Sequence, residues 1–119
     1  MSKDEKPLDF VGSSRRDLRA FPEEARHEAG KELRRVQRGM MPTDWKPLGE
    51  VGPGASELRV RTAEGGVVQY RVVYLAKFPE AVYVLHAFEK KTQQTPQYQL
   101  DLAAARYKQL LRERNDRKK

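Results

Sequence analysis

Three segments decide the fold: LRVR (58–61), VVQYRVVYLAK (67–77) and AVYVLHAF (81–88). Apolar and basic residues alternate in the first, and the other two are rich in valine and tyrosine. A period of two and β-branched or aromatic side chains are typical of strands. Glycine and proline interrupt the pattern at residues 64–66 and 77–80, where turns are predicted. The segments therefore predict a three-stranded antiparallel meander.

Helical patterns lie on both sides of the meander. A short helix is predicted over residues 14–21 after a serine cap, and a second begins at Pro22 and ends at Gly39. A third is predicted from residue 95 or 96 to residue 114, and residues 8–11 suggest a further strand. The expected fold is α+β, with N-terminal helices and a C-terminal helix packed on a three- to four-stranded antiparallel sheet. Residues 40–54 read as a loop anchored in the core by Trp45 and Leu48.

The chain has 119 residues, which predicts one domain. We expect a disordered N-terminus over residues 1–6, a single domain over residues 7–114 and a basic tail over residues 115–119. No cysteine is present, which excludes disulfides, iron–sulfur clusters and thiolate zinc sites. His27 and His86 are too few and too distant for a metal cage, so neither a metal nor another cofactor is predicted.

The net charge of +7 raises the local potential towards anions. Nucleic acid, the ribosome, an anionic membrane face and an acidic protein are all compatible with it. The N-terminus lacks the architecture of a signal peptide, and the longest apolar run, residues 72–76, is far too short to span a membrane. A cytoplasmic protein without a membrane association is therefore expected.

Hairpin register predicts which side chains meet on one face of the sheet. A three-residue first turn places Arg59 opposite Arg71, and a symmetric second turn pairs Lys77 with Glu80 and places Arg71 opposite His86. The neighbouring row on the same face holds Arg61, Gln69 and Phe88. The opposite face collects an apolar core of Leu58, Val60, Tyr70, Val72, Tyr74, Tyr83 and Leu85.

Like charges placed directly opposite one another destabilise a sheet, so a row of Arg59, Arg71 and His86 indicates a bound anion. Phosphodiester chemistry needs such a set, because guanidinium groups stabilise charge on phosphoryl oxygens and histidine exchanges protons near neutral pH. For RNA, the adjacent 2′-hydroxyl is the nucleophile and no metal is required. The alternative is structural: the arginines belong to a solvated face and the histidine is packed and hydrogen-bonded.

The segments ELRVR (57–61), YRVVY (70–74), VYVLHAFEKKT (82–92) and TP (95–96) resemble the phage-derived, HigB-like branch of the RelE/ParE toxin superfamily. The resemblance extends over about residues 7–111. It implies a RelE-like fold and the toxin of a type II toxin–antitoxin pair. It also implies a ribosome-dependent endoribonuclease that cleaves mRNA to a 2′,3′-cyclic phosphate and is inhibited by a cognate antitoxin, commonly a helix-turn-helix protein.

By position, the resemblance assigns catalysis to Arg71, His86 and Lys90. It assigns RNA binding to Arg59, Arg61, Lys91 and Tyr98. Either His86 or Tyr98 transfers the proton, because some toxins of this superfamily use a C-terminal tyrosine. Two alternatives remain: a ParE-like inhibitor of DNA gyrase, whose relatives generally lack the basic and histidine set, and a basic RNA-binding protein without activity.

Overall fold

A computed structural model describes residues 5–62 and 69–118 of the chain. In chain order, its elements are β1 (Leu8–Phe10), α1 (Ser14–Arg19), α2 (Glu23–Gln37), β2 (Trp45–Pro47), β3 (Ala55–Arg61), β4 (Gln69–Leu75), β5 (Val82–Lys90) and α3 (Gln97–Arg117). The strands form one sheet in the order β1-β5-β4-β3-β2. The α+β class is confirmed, and the meander is its centre. The prediction of a three- to four-stranded, purely antiparallel sheet is wrong, because two short edge strands bring the number to five and one of them is parallel.

The two edge strands explain this difference. The suggested strand at residues 8–11 exists as β1, but it runs parallel to β5, pairing Leu8 with Val82. The predicted loop contains β2, which pairs antiparallel with β3. Pro47 lacks a backbone N–H, which an edge strand tolerates. Leu48 is buried as predicted, whereas Trp45 is 36% exposed and the prediction that it anchors the core is wrong. Trp45 lies on the outermost strand, where the sheet ends.

The helices cover both faces of the sheet. Leu18 of α1 and the apolar stripe of α2, including Ala29 and Leu33, form one core cluster with Val72 and other sheet residues. On the opposite face, α3 contributes the buried residues Ala103, Tyr107 and Leu110, which pack against Val73, Leu75 and Leu85. The predicted end of α2 is confirmed by Gly39, whose φ of +81° is accessible to glycine. The chain therefore has three layers, with the sheet in the middle.

The ends of the chain differ from the sequence prediction in detail. Lys6, within the segment expected to be disordered, donates from Nζ to the carbonyl oxygens of Ala76 and Phe78 at 2.7 and 2.9 Å. Residues 1–4 lie outside the described part of the chain. At the other end, α3 continues to Arg117, so residues 115–117 of the expected tail are helical.

The register of the first hairpin is confirmed, because Arg59 lies opposite Arg71. The turn predicted at residues 64–66 lies outside the described residues. The register of the second hairpin is wrong: Arg71 lies opposite Phe88, and His86 lies opposite Val73.

Two one-residue shifts produce this error. Leu75 pairs with Tyr83 because the turn is longer than a symmetric four-residue turn. A β-bulge then leaves Leu85 without a partner on β4, because the next pairs are Tyr74 with Val84 and Val73 with His86. Tyr83 and Leu85 therefore pack on the face of the sheet that α3 covers. The prediction that they belong to the apolar core on the opposite face is wrong.

Candidate functional site

Ten side-chain positions form three rows across the face of the sheet on which α3 packs. Strand pairing gives one row of Lys46, Glu57, Val73 and His86. The next row is Arg59, Arg71 and Phe88. The third row is Arg61, Gln69 and Lys90. Alternation along each strand directs these residues to one side, so basic side chains from four strands converge there.

Glu57 lies at the centre of this face and is 1% exposed. Its Oε1 is 3.2 Å from Nε of Arg71, and its Oε2 is 3.6 Å from Nζ of Lys46 and 3.9 Å from Nε of Arg59. A buried carboxylate requires compensating charge, and three cations provide it here. We call Glu57, Lys46, Arg59 and Arg71 the Glu57 cluster.

Arg71 is the most deeply buried cation of the cluster, with 4% of its surface exposed. Burial lowers the pKa of its guanidinium, while the charge of Glu57 acts in the opposite direction. Nη2 donates to Oε1 of Gln69 at 2.6 Å. Within the described residues, Nε and Nη1 have no partner with hydrogen-bond geometry, although Nε contacts Glu57. A buried guanidinium with unfilled donor positions is able to accept an oxyanion.

The outer part of the face is more exposed. The side chains of Arg59 and Arg61 are 27% and 66% exposed, and both lie within 4.0 Å of the Asp44 carboxylate. Lys46 is 45% exposed. Exposed ion pairs contribute little stability, because water and salt screen them. These cations are therefore available to a more highly charged anion than Asp44.

Lys90 ends β5 in the same row as Arg61 and Gln69. Burial, and next the charge of Arg71, lower the pKa of the Lys90 amine. A lysine of lowered pKa gives up a proton more readily at neutral pH. Lys91 follows the end of the strand and is exposed. The two predicted basic positions thus differ, because Lys90 faces the Glu57 cluster and Lys91 lies beyond the sheet.

His86 belongs to a second polar cluster, which joins α1, β5 and α3. Nη1 of Arg106 lies 3.2 Å from Nδ1 of His86, and Oε1 of Gln99 contacts Nε2. Since a guanidinium only donates, these contacts assign the ring proton to Nε2, which donates to Gln99. Burial lowers the pKa of the imidazole, and the hydrogen bond to Gln99 acts in the opposite direction. His86 is therefore a neutral side chain with both nitrogens engaged.

Arg106 holds this second cluster together. It donates to the carbonyl of Leu85 at 3.0 Å and to Oγ of Ser13 at 2.7 Å, and it lies 3.5 Å from Oδ2 of Asp17. The Leu85 carbonyl belongs to the bulge residue of β5, so a side chain of α3 binds the irregular point of the strand. We call His86, Gln99, Arg106, Ser13 and Asp17 the His86 cluster.

Tyr98 lies near the start of α3 and is 67% exposed. Its hydroxyl accepts a hydrogen bond of 3.3 Å from Nε2 of Gln99, whose Oε1 contacts His86. The two residues proposed as alternatives for proton transfer are thus joined through one glutamine. Only Tyr98 of the two is open to solvent.

The structure brings together most of the basic residues predicted from the sequence, but it separates His86 from Arg71 by one row. The prediction missed Glu57, Lys46, Arg106, Gln99 and Asp17. A signal existed for Glu57, because it has the same strand parity as Arg59 and Arg61 in ELRVR. Arg106 gave no signal, since a basic residue on an amphipathic helix is normally solvent-exposed.

Residues 5–62 and 69–118 contain no group of histidine, aspartate and glutamate side chains suited to a metal ion. Over the same residues, no helix is both long and apolar enough to cross a membrane. The site that the described chain offers is a cationic sheet face.

The chain is therefore a small three-layer α+β domain with a cationic patch on one inner face of its sheet. The model of the family described as Phage derived protein Gp49-like (DUF891) matches residues 16–108. The chain belongs to this family, which is a RelE/ParE-like family of toxin–antitoxin toxins, and an antitoxin is thus the general class of partner. The match contains both polar clusters except Ser13. No curated protein matches the chain.

Proposed function

We propose that this chain is the toxin of a type II pair of the HigB-like branch and acts as an endoribonuclease on ribosome-bound mRNA. The observation that carries the proposal is the buried guanidinium of Arg71, which has unfilled donor positions beside Lys46 and Arg59, the two other cations of the Glu57 cluster. Such a group suits the phosphoryl oxygens of RNA, whose negative charge grows in the transition state. Neutralisation by a helix-turn-helix antitoxin and residence in the cytoplasm belong to the same proposal.

The reaction needs no metal and no cofactor. The 2′-oxygen of one nucleotide attacks the adjacent phosphorus, the bond to the 5′-oxygen breaks, and a 2′,3′-cyclic phosphate remains. Arg59, Arg61 and Lys91 grip the flanking phosphates, and Arg71 binds the reacting phosphoryl group. Because Nη2 of Arg71 already donates to Gln69, a phosphoryl oxygen takes the place of the Gln69 amide when RNA binds.

Two protons move in this reaction. The departing 5′-oxygen takes one from Lys90, whose lowered pKa makes its ammonium group a better acid. The 2′-hydroxyl gives one to His86, which is neutral but engaged at both nitrogens, so RNA must break one of its hydrogen bonds. Tyr98 is the alternative to His86 in proton transfer, and its exposure allows direct contact with RNA.

The test is primer extension on a reporter mRNA in a purified translation system, with and without ribosomes. Arg71→Lys keeps a charge beside Glu57 but loses the planar fork of donors. We expect it to reduce the cleavage rate by about a hundredfold, as removal of one transition-state donor typically does. Arg112→Ala is the control, because Arg112 is exposed and lies about 20 Å along α3 from Gln99.

Three outcomes separate the alternatives. Cleavage that needs ribosomes and falls in Arg71→Lys supports the proposal. Intact mRNA together with DNA damage in arrested cells would indicate the gyrase inhibitor. Salt-sensitive RNA binding without cleavage would indicate the inactive RNA-binding protein. Parallel assays of His86→Ala and of Tyr98→Phe assign the proton transfer.

A further inference from the structure

We infer that Glu57 is the positioning residue of the site: it fixes the guanidinium of Arg71 by the Nε edge and so directs the remaining nitrogens to the substrate phosphate. This inference rests on the proposed function for its catalytic consequence. The claim that Glu57 orients Arg71 rests only on contacts within the protein without RNA.

Burial is the first step of the argument. Glu57 is 1% exposed and Arg71 is 4% exposed, so water contributes little to the solvation of either charge. A well-packed apolar pair of similar volume is often as stable as a buried ion pair, or more stable. Packing alone thus gives no reason for a carboxylate at this point of the sheet. The need to orient Arg71 does give a reason.

The direction of the contact is the second step. Oε1 of Glu57 lies 3.2 Å from Nε of Arg71, an ion-pair contact without hydrogen-bond geometry, and neither Nη1 nor Nη2 donates a hydrogen bond to the carboxylate. Nη2 donates to Gln69, and in the described chain neither Nε nor Nη1 has a partner with hydrogen-bond geometry, so the ion pair with Glu57 is the contact that holds the Nε edge. Because the guanidinium is planar and rigid, fixing Nε fixes the directions of both Nη groups. Glu57 thus holds one edge of Arg71, and at the other edge an oxyanion that replaces Gln69 at Nη2 would also supply the partner that buried Nη1 lacks.

The other carboxylate oxygen of Glu57, Oε2, positions the two more exposed cations of the Glu57 cluster. Oε2 lies 3.6 Å from Nζ of Lys46 and 3.9 Å from Nε of Arg59, which are both partly exposed. Without a negative charge between them, these cations and Arg71 would repel one another and spread apart. Glu57 therefore holds three cations within reach of a single phosphate.

A purely electrostatic role is the competing explanation, and it predicts a different response to substitution. Glu57→Asp keeps the negative charge but withdraws the carboxylate by about 1.5 Å, the length of one carbon–carbon bond. If only charge matters, this variant cleaves normally. If Glu57 positions Arg71, Glu57→Asp loses much of the activity while its charge balance is preserved.

The experiment is a double-mutant cycle on ribosome-dependent cleavage under single-turnover conditions at saturating toxin. It compares the wild type with Glu57→Asp, Arg71→Lys and the double variant. We expect Glu57→Asp to slow cleavage at least tenfold and to leave ribosome binding unchanged. The losses of the two single variants are expected not to multiply in the double variant, because Glu57 acts mainly through Arg71. Normal cleavage by Glu57→Asp, or losses that multiply in the double variant, would overturn the inference.

Two further measurements keep the test decisive. Circular dichroism and thermal melting show whether each variant is folded, and Glu50→Asp is the matched control, because Glu50 is exposed in a loop. NMR of the arginine Nε–H groups reports Arg71 directly: the chemical shift of its Nε–H should change in Glu57→Asp and not in Glu50→Asp. If the wild type does not cleave RNA, the proposed function fails, and the NMR result alone decides the positioning. An unchanged Arg71 signal overturns it.

Discussion

The Glu57 cluster and the His86 cluster lie on the same face of one sheet, yet they are bonded in opposite ways. In the Glu57 cluster, three cations share one buried carboxylate, and buried nitrogens of Arg59 and Arg71 lack hydrogen-bond partners within the described chain. In the His86 cluster, both ring nitrogens of His86 are engaged, and Arg106 reaches a carbonyl, a hydroxyl and a carboxylate.

The difference separates binding from architecture. A polar network whose donors and acceptors are matched rigidifies a fold, because breaking it leaves buried groups unsatisfied. A network with surplus donors is less favourable for stability and more favourable for an incoming anion. We therefore expect substitutions in the His86 cluster, apart from those of the proposed proton acceptor His86 itself, to act mainly on stability, and substitutions in the Glu57 cluster to act mainly on RNA binding and cleavage.

The largest expected effect is the loss of stability in Arg106→Ala. This variant leaves Asp17, His86 and the Leu85 carbonyl without their shared donor in a buried region. The Asp17 side chain is 28% exposed, so the cost comes mainly from His86 and the Leu85 carbonyl, at about 1–3 kcal/mol for each buried acceptor left unsatisfied. Urea unfolding followed by circular dichroism measures it, with Arg112→Ala as the exposed control, expected to change stability by less than about 0.5 kcal/mol. Equal stability of the two variants would break the distinction between the clusters.

Gly12→Ala is expected to have the next largest effect. Gly12 has a φ of +60°, and a Cβ there would lie 2.8 Å from Nε of Arg106. The backbone conformation alone costs about 1–2 kcal/mol for a residue with a Cβ, and displacement of Arg106 adds to it. We expect a lower melting temperature with an unchanged cleavage rate per folded molecule. Wild-type stability of Gly12→Ala would contradict this prediction, and reduced cleavage per folded molecule would show that proton transfer by His86 depends on the position of Arg106.

The sequence was sufficient for the elements of the inner sheet and the register of its first hairpin. The alternation in ELRVR and the pairing of Arg59 with Arg71 both follow from the strand period and one short turn. The apolar stripe of α2 was equally readable, because helical spacing leaves one consistent face. Local rules worked wherever structure depends on residues close in sequence.

The rest depends on contacts between distant parts of the chain. The bulge at Leu85 is bound by Arg106 from α3, 21 residues away, so nothing near Leu85 marks it. The bulge shifts the register by one residue, and the longer turn shifts it by one more. The total shift of two residues leaves His86 on the same face as Arg71 but in the neighbouring row. The register of β1 could not be predicted from hairpin rules either, because no short turn connects this strand to its parallel partner, β5.

Arg59→Gln is expected to have a smaller effect. It tests the Glu57 cluster, whereas the two preceding variants test the His86 cluster. Removing one of three cations around Glu57 relieves repulsion, so stability should change by less than about 0.5 kcal/mol. RNA affinity should fall, and the slope of log affinity against log salt should decrease by about one, as for the loss of one phosphate contact. Filter binding over a salt series measures both. An unchanged slope would remove Arg59 from the RNA interface.

The pH dependence of stability gives the smallest effect, and it tests whether His86 is neutral in the folded protein. Burial places the folded-state pKa of His86 below its unfolded value of about 6.5, so the unfolded chain binds the proton more tightly. The contribution of His86 is therefore complete above about pH 6.5 and decreases as the pH falls towards the folded-state pKa.

His86→Gln removes this titration, so its unfolding free energy should change less than that of the wild type between about pH 7.5 and pH 5, a range that brackets the ordinary histidine pKa. Urea unfolding at several pH values measures the difference between the two slopes. His27→Gln, at an exposed histidine, is the control for the substitution itself. If His86→Gln retains the wild-type slope, the imidazole titrates as it does in the unfolded chain. His86 would then be open to proton exchange, and the distinction between an architectural and a chemical cluster would end at this residue.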